Sequence, residues 1–224
     1  MDEVTTELLD RIRRYALPTP IEARGAWLRQ RGAMRLGRER GWSPFHAEQQ
    51  FSVEPPGFQW KARIRVAPFV SVSVTDAYEE SRGFLRVSWF GIPLSRASGP
   101  EMSAGELMRF LAELAWCPPA YANPKLTWSA TGERTLEVEL REGETSARVA
   151  LDVDDLGRIV ACRARRLRLV GKRFEDADWH AEFGEYRQFG ALRMPSRGEA
   201  SWELPEGRFT YWRGEIVDAG LVAA

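Results

Sequence analysis

A mainly β chain folded as one strongly curved antiparallel sheet, a half-barrel of about eleven strands, is what three observations predict. Short runs of alternating apolar and polar residues recur along the chain, clearest from Phe58 to Val66. Turn residues punctuate these runs at short intervals, which suits hairpins rather than long crossovers. One convincing amphipathic helix, at about 103–116, interrupts the strands in mid-chain, and neither it nor the sheet can bury an apolar face alone. The class is therefore α+β: a curled sheet with a helical lid. The whole chain, 1–224, reads as a single domain, with an N-terminal helix and lead-in over 1–20, a first strand meander over 26–91, the lid helix, and a second meander over 124–218.

Residues 4–15 read as a short helix with Val4, Leu8, Ile12 and Tyr15 on one side, ended by Pro18 and Pro20. Ala26 to Leu36 is the first strand, with Leu28, Met34 and Leu36 on one face and Arg29, Arg31 and Arg35 on the other. That arginine row reads as the solvated side of a half-buried sheet. Phe45, Ala47, Gln49 and Phe51 form the next inward row, followed by Phe58, Trp60, Ala62, Ile64 and Val66. Strands at about 70–77 and 84–91 complete the first meander. Ser103 and Glu106 then form a capping box, Leu107, Phe110, Leu111 and Leu114 make the apolar stripe, and Pro118-Pro119 stop the helix.

Trp128 ends a short strand, and Leu136–Leu140 and Ala147–Leu151 alternate in the two after it. Asp154-Asp155-Leu156-Gly157 reads as a turn rather than a calcium loop, since the rest of an EF-hand pattern is missing. From Arg158 to Val170 the apolar phase changes, from Val160 and Cys162 to Leu167 and Leu169, which predicts a bulge near Arg165-Arg166. Three strands, at about 178–187, 191–204 and 208–218, finish the chain.

Thirty-two basic and thirty-two acidic residues cancel, which removes the simplest electrostatic case for a nucleic-acid partner. Cys117 and Cys162 lack metal-ligand spacing and read as two reduced thiols, with one disulfide as the alternative. Met1-Asp2-Glu3 is the wrong start for a signal peptide, and no stretch reaches the roughly 20 apolar residues of a membrane span, so a cytoplasmic, non-spanning protein is expected, as monomer or homodimer.

The order of strands, a helix of the type GELMRFLAELAWCPPA, and more strands resembles the LolA/LolB lipoprotein-carrier fold, as does the tail Tyr186-Arg187-Gln188-Phe189-Gly190 with Pro195. More closely, the chain resembles an uncharacterised bacterial family of domains of unknown function. The stretches that carry this likeness are RYALP, LRQRG, PFHAEQ, PGFQWKARI, SGPE, ELMRFLAELAW and YWRGEI. The resemblance implies a concave sheet lined with aromatics, lidded by the helix and holding an apolar ligand such as an acyl chain.

The nine tryptophans give that implication something to act on. Core packing is the simpler reading of any one of them, but the set exceeds what a plain sheet needs and suggests a lined cavity. The expected ligand wall is Phe45, Gln49, Trp60, Trp89 and Trp128 on the sheet, with Phe110, Glu113 and Trp116 from the lid, Gln49 or Glu113 orienting a polar head. No catalytic residue, metal site or cofactor is expected on motif grounds, and His46 and His180 are read as outward-facing. The first reading is a soluble binding protein for a lipid or other extended apolar molecule. The alternative is a cofactor-independent cyclase, isomerase or hydrolase, in which Asp76 or Glu113, desolvated under the lid, moves a proton.

Overall fold

The alternating rows become the wall of one sheet. The computed structural model describes residues 1–19, 21–170 and 173–223, apart from the side chains of Leu169 and Phe174. A first helix, α1 (Glu3–Ala16), is capped by Asp2, whose side chain accepts a hydrogen bond from the Thr5 amide. Six hairpin-connected strands follow: β1 (Ala23–Met34), β2 (Ser43–Ser52), β3 (Gly57–Ala67), β4 (Val70–Glu79), β5 (Arg82–Trp89) and β6 (Ile92–Ser98). The second helix, α2 (Pro100–Ala112), leads through 3-10 turns at Leu114–Trp116 and Pro118–Ala122 into seven more. These are β7 (Thr127–Gly132), β8 (Thr135–Glu142), β9 (Thr145–Val153), β10 (Ile159–Val170), β11 (Arg173–Phe189), β12 (Leu192–Leu204) and β13 (Gly207–Ala223).

All thirteen strands lie in one antiparallel sheet, ordered β6-β5-β4-β3-β2-β1-β13-β12-β11-β10-β9-β8-β7. Each meander is built from neighbours in sequence, and pairing of β1 with β13 welds the two together in the middle. The sheet therefore stays open between β6 and β7. The chain crosses that opening through α2, which packs against β5 on one wing and β9 on the other. A curled sheet and a helix across it bury what neither buries alone. Leu107, Phe110 and Leu111 of α2 are wholly buried, together with Leu28, Phe45, Leu136, Leu140 and Leu151 from the sheet.

Several expectations are corrected. The sheet has thirteen strands rather than about eleven; β6 went unread because most of its side chains are exposed and no apolar face marks it. Helix α2 begins at Pro100, with Gly99 as N-cap at φ +130°, a conformation that suits glycine. Ser103 and Glu106 are thus not a capping box: the Ser103 hydroxyl donates to the Gly99 carbonyl and accepts from the Gly83 amide of β5. The α-helix also ends at Ala112, so Trp116 lies in the 3-10 turn behind it. Val4, Leu36 and Val66, expected inside, are exposed, because each lies where its row runs past the core. The bulge lies between Ile159 and Ala161, whereas the β10–β11 register is unbroken from Ala161 to Val170. Through that stretch Arg166, not Leu167, is the more buried residue, and Leu169's side chain falls outside the described residues.

On the convex face the arginine row finds acids across the strands: Arg31 binds Glu215 at 2.8 Å, and Arg29 lies near Glu48 and Asp218. The Asp154 turn is held by its own carboxylate, which accepts from the Leu156 and Arg158 amides. No group of metal-ligating side chains occurs among the described residues. Among them too, no helix is long and apolar enough to cross a membrane.

Candidate functional site

Beneath α2, on the concave side, lies a cavity of about 320 Å³. Its walls are aromatic: Trp60 from β3, Trp179 and Phe183 from β11, Trp202 from β12, Tyr211 and Trp212 from β13, and Trp116 from the turn after α2. Trp116 is 3% exposed, meets Phe183 edge-on at 5.3 Å and donates its indole N–H to the Pro195 carbonyl at 3.0 Å. Gly198 makes room for it: a Cβ there would come within 2.9 Å of the Trp116 ring.

The rest of the lining is charged, and the charge sits where water is scarce. Arg109 of α2 donates to Asp76 of β4 at 2.6 Å and to Glu113 at 2.8 Å, and its guanidinium lies 4.8 Å from the Phe58 ring centre and 5.3 Å from that of Trp60. Burial works against its charge, but Glu113, Asp76 and Glu106 more than offset this and hold its pKa above the usual arginine value. Glu113 also accepts from Gln49, which accepts from Gln30, which accepts from the Trp60 indole. A single chain of hydrogen bonds thus runs from Trp60 through two buried glutamines to Glu113, Arg109 and Asp76. Such a network is stable where every member is satisfied.

Two carboxylates here are not, Asp76 at the end of that chain and Glu106 beside it. One carboxylate oxygen of Asp76, Oδ1, and one of Glu106, Oε2, are buried without a hydrogen-bond partner among the described residues. The Glu106 side chain is 5% exposed and its other oxygen lies 3.7 Å from Arg166 of β10. Burial first, then the Asp76 charge, push the Glu106 pKa up to about 8, against the pull of Arg166 and Arg109. Burial and the neighbouring Asp76 charge thus favour the protonated form of Glu106 at neutral pH. Arg166 lies 5.9 Å from both the Trp179 and Trp202 ring centres.

Of the residues expected to form the site, Trp60, Asp76, Glu113 and Trp116 come together in the cavity. Gln49 stands behind Glu113 with both ends of its amide engaged. Phe45 and Phe110 are buried in the core and do not line the cavity, Phe45 being stacked on Trp212 at 5.9 Å. Trp128 packs on Tyr121, and Trp89 is 42% exposed at the far end of β5 against Phe90. Neither touches the cavity. Glu113 pairs with Arg109 at 2.8 Å, and both side chains are largely buried. His46 is exposed as expected, whereas the His180 side chain is only 16% exposed, beside Glu182. Glu106 and Arg166 went unread as site residues, the one claimed by a capping pattern and the other by a supposed bulge. Both thiols are free and buried, and burial pushes Cys117 up to about 12, so neither is poised as a nucleophile.

A larger hollow of about 820 Å³ opens where β9 and β10 part. In its lining Arg148, Arg163 and Asp176 are more than half exposed and paired in solvent. The less open cavity under α2, with its aromatic wall, is the better candidate.

An open antiparallel half-barrel with a helix across it is the LolA-like fold, and two solved structures are similar to this one. A LolA superfamily protein from Nitrosomonas europaea aligns with a TM-score of 0.51 at 11% identity, covering 98% of this chain and 94% of that one. A DUF1329 family protein from Desulfovibrio piger aligns with a TM-score of 0.56 at 9% identity, again over 98% and 94%. At these identities the likeness is one of fold. The chain itself belongs to DUF6544, a family of unknown function whose profile matches residues 13–214. No curated protein matches it in sequence.

Proposed function

We propose that the protein binds one small molecule with an extended apolar body and a polar head, a lipid or similar compound, in the cavity under α2. The observation that carries this reading is the division of that cavity into an aromatic wall and a buried charged cluster with unsatisfied oxygens. A filled core has no reason to leave buried carboxylate oxygens unpaired, whereas a binding site does. Apolar burial, on the order of 25 cal/mol per Å² before ordering costs, drives entry, and the charged cluster sets the orientation. A reducing, cytoplasmic setting belongs to the same proposal and suits two buried free thiols. Native mass spectrometry of the purified protein, followed by solvent extraction, tests the reading. A bound apolar molecule released on extraction supports it; a clean apo mass with no uptake of hydrophobic dyes overturns it.

The proton on Glu106 favours a second reading, an enzyme without cofactor: a cyclase, isomerase or hydrolase. Asp76 and Glu113 are tied to Arg109, so the general acid in this reading is Glu106. Turnover of a cavity-bound compound, lost in Glu106→Gln with binding retained, separates it from the first.

A further inference from the structure

We infer that the ligand of this cavity carries a cationic amine at its polar end; this rests on the binding reading above and specifies its chemistry. The cavity's buried ion pairs hold three carboxyl groups, Asp76, Glu106 and Glu113, and two guanidinium groups, Arg109 and Arg166, while the exposed Glu101 and Glu199 and the half-buried Arg168 also line the cavity. With Glu106 protonated the cluster is neutral; when that proton leaves, it lacks one positive charge. An ammonium group supplies that charge, and a carboxylate head would add a fourth negative one.

The unpartnered oxygens say where it goes. Asp76 Oδ1 and Glu106 Oε2 are acceptors in want of donors, both buried, on residues that line the same cavity. An ammonium offers donors and no acceptor, which fits two unpaired acceptor oxygens. The aromatic wall agrees, since rings attract cations at their faces, and those here already host two: Arg109 over Phe58 and Trp60, Arg166 near Trp179 and Trp202. Arg166 does not itself disqualify a cation, because its charge is offset by the Glu106 carboxylate once that proton leaves, and by the rings beside it.

Binding then has a proton signature. The groups facing Glu106 are Asp76 on β4, Arg166 on β10, and Arg109 and Glu113 on α2. A ligand ammonium added to this set favours the Glu106 carboxylate, so entry of the amine expels the Glu106 proton below about pH 8 and affinity rises with pH over that range. The amine's own titration, near that of lysine at about 10.4, lies higher.

The experiment is calorimetric titration of the full chain with three twelve-carbon probes, dodecylamine, dodecanol and dodecanoate, each below its micelle-forming concentration. Dodecylamine is expected to bind roughly tenfold more tightly than either comparator at pH 7.5, a difference of about 1.4 kcal/mol. Its affinity is expected to rise several-fold from pH 6 to pH 8 with proton release, and Glu106→Gln to remove both the rise and the release. Equal or tighter binding of dodecanoate overturns the inference and leaves the binding reading standing. Failure of all three probes overturns both. Where Glu106→Gln does not fold, the order of the three probes and the proton release on the unmodified protein decide.

Discussion

Arg31 and Arg109 do the same chemistry on opposite faces of one sheet. Arg31 reaches Glu215 on the convex face with its side chain 59% exposed. Arg109 reaches Asp76 and Glu113 on the concave face with its side chain 16% exposed. Outside, water competes for both partners and the pair adds little. Inside, Glu113 has only Gln49 as a further donor and Asp76 has none among the described residues, so the arginine becomes a condition for the fold around it. The difference is why the cavity can hold charge at all, and why its unpaired oxygens support the proposed site.

The largest expected effect is that of Arg109→Met. It strands Asp76 and Glu113 in a dry cavity and should cost about 3–5 kcal/mol in urea unfolding; a loss under about 1 kcal/mol would mean that water reaches this cluster as it reaches the convex face. Next comes Glu106→Gln, read as a difference from the parent protein across pH. Glu106 has a folded pKa raised from 4.5 to about 8, so the native state holds a proton that the unfolded chain releases. Stability therefore falls as pH rises through this window, and the variant should gain on the parent by roughly 2–4 kcal/mol between pH 5 and pH 9. Thermal melts at both ends check this, and parallel curves would return Glu106 to an ordinary carboxylate.

Gln49→Leu sharpens the comparison from behind the site. It deprives Glu113 of a donor and leaves the Gln30 amide N–H, which it accepted, unpaired, at about 1–3 kcal/mol measured by denaturant midpoint. Smallest is Arg31→Met, expected within about 1 kcal/mol and shrinking further in salt. A larger loss there would erase the contrast between the faces.

The strands were legible because each is half-buried and says so every second residue. Phe45, Ala47, Gln49 and Phe51 are all buried, as are Phe58, Trp60, Ala62 and Ile64. β6 has no buried face to advertise, so its residues gave no signal. The site was legible where it borrowed a local pattern, at Trp60 and Asp76 on strands and at Glu113 and Trp116 beside the helix. Glu106 and Arg166 stand 60 positions apart and meet because α2 crosses the open side of the sheet beside β10. No local pattern encodes such a meeting. The apolar phase on β10 misled for a physical reason: the strand keeps its register and turns an arginine toward the cavity where a leucine was expected. Among the missed aromatics, Tyr211 and Trp212 lie in the YWRGEI stretch that carried the family resemblance, a signal available from the start.

The central claim, that the concave cavity under α2 is a binding site, is tested most directly by a crystal structure of the protein soaked with a terminally brominated twelve-carbon alcohol. The account predicts an anomalous bromine peak inside the aromatic wall, between Trp116, Phe183 and Trp202, with the hydroxyl toward Asp76 and Glu106. A bromine peak only on the convex face or in the hollow between β9 and β10, or an undisturbed cavity at saturating probe, would contradict it.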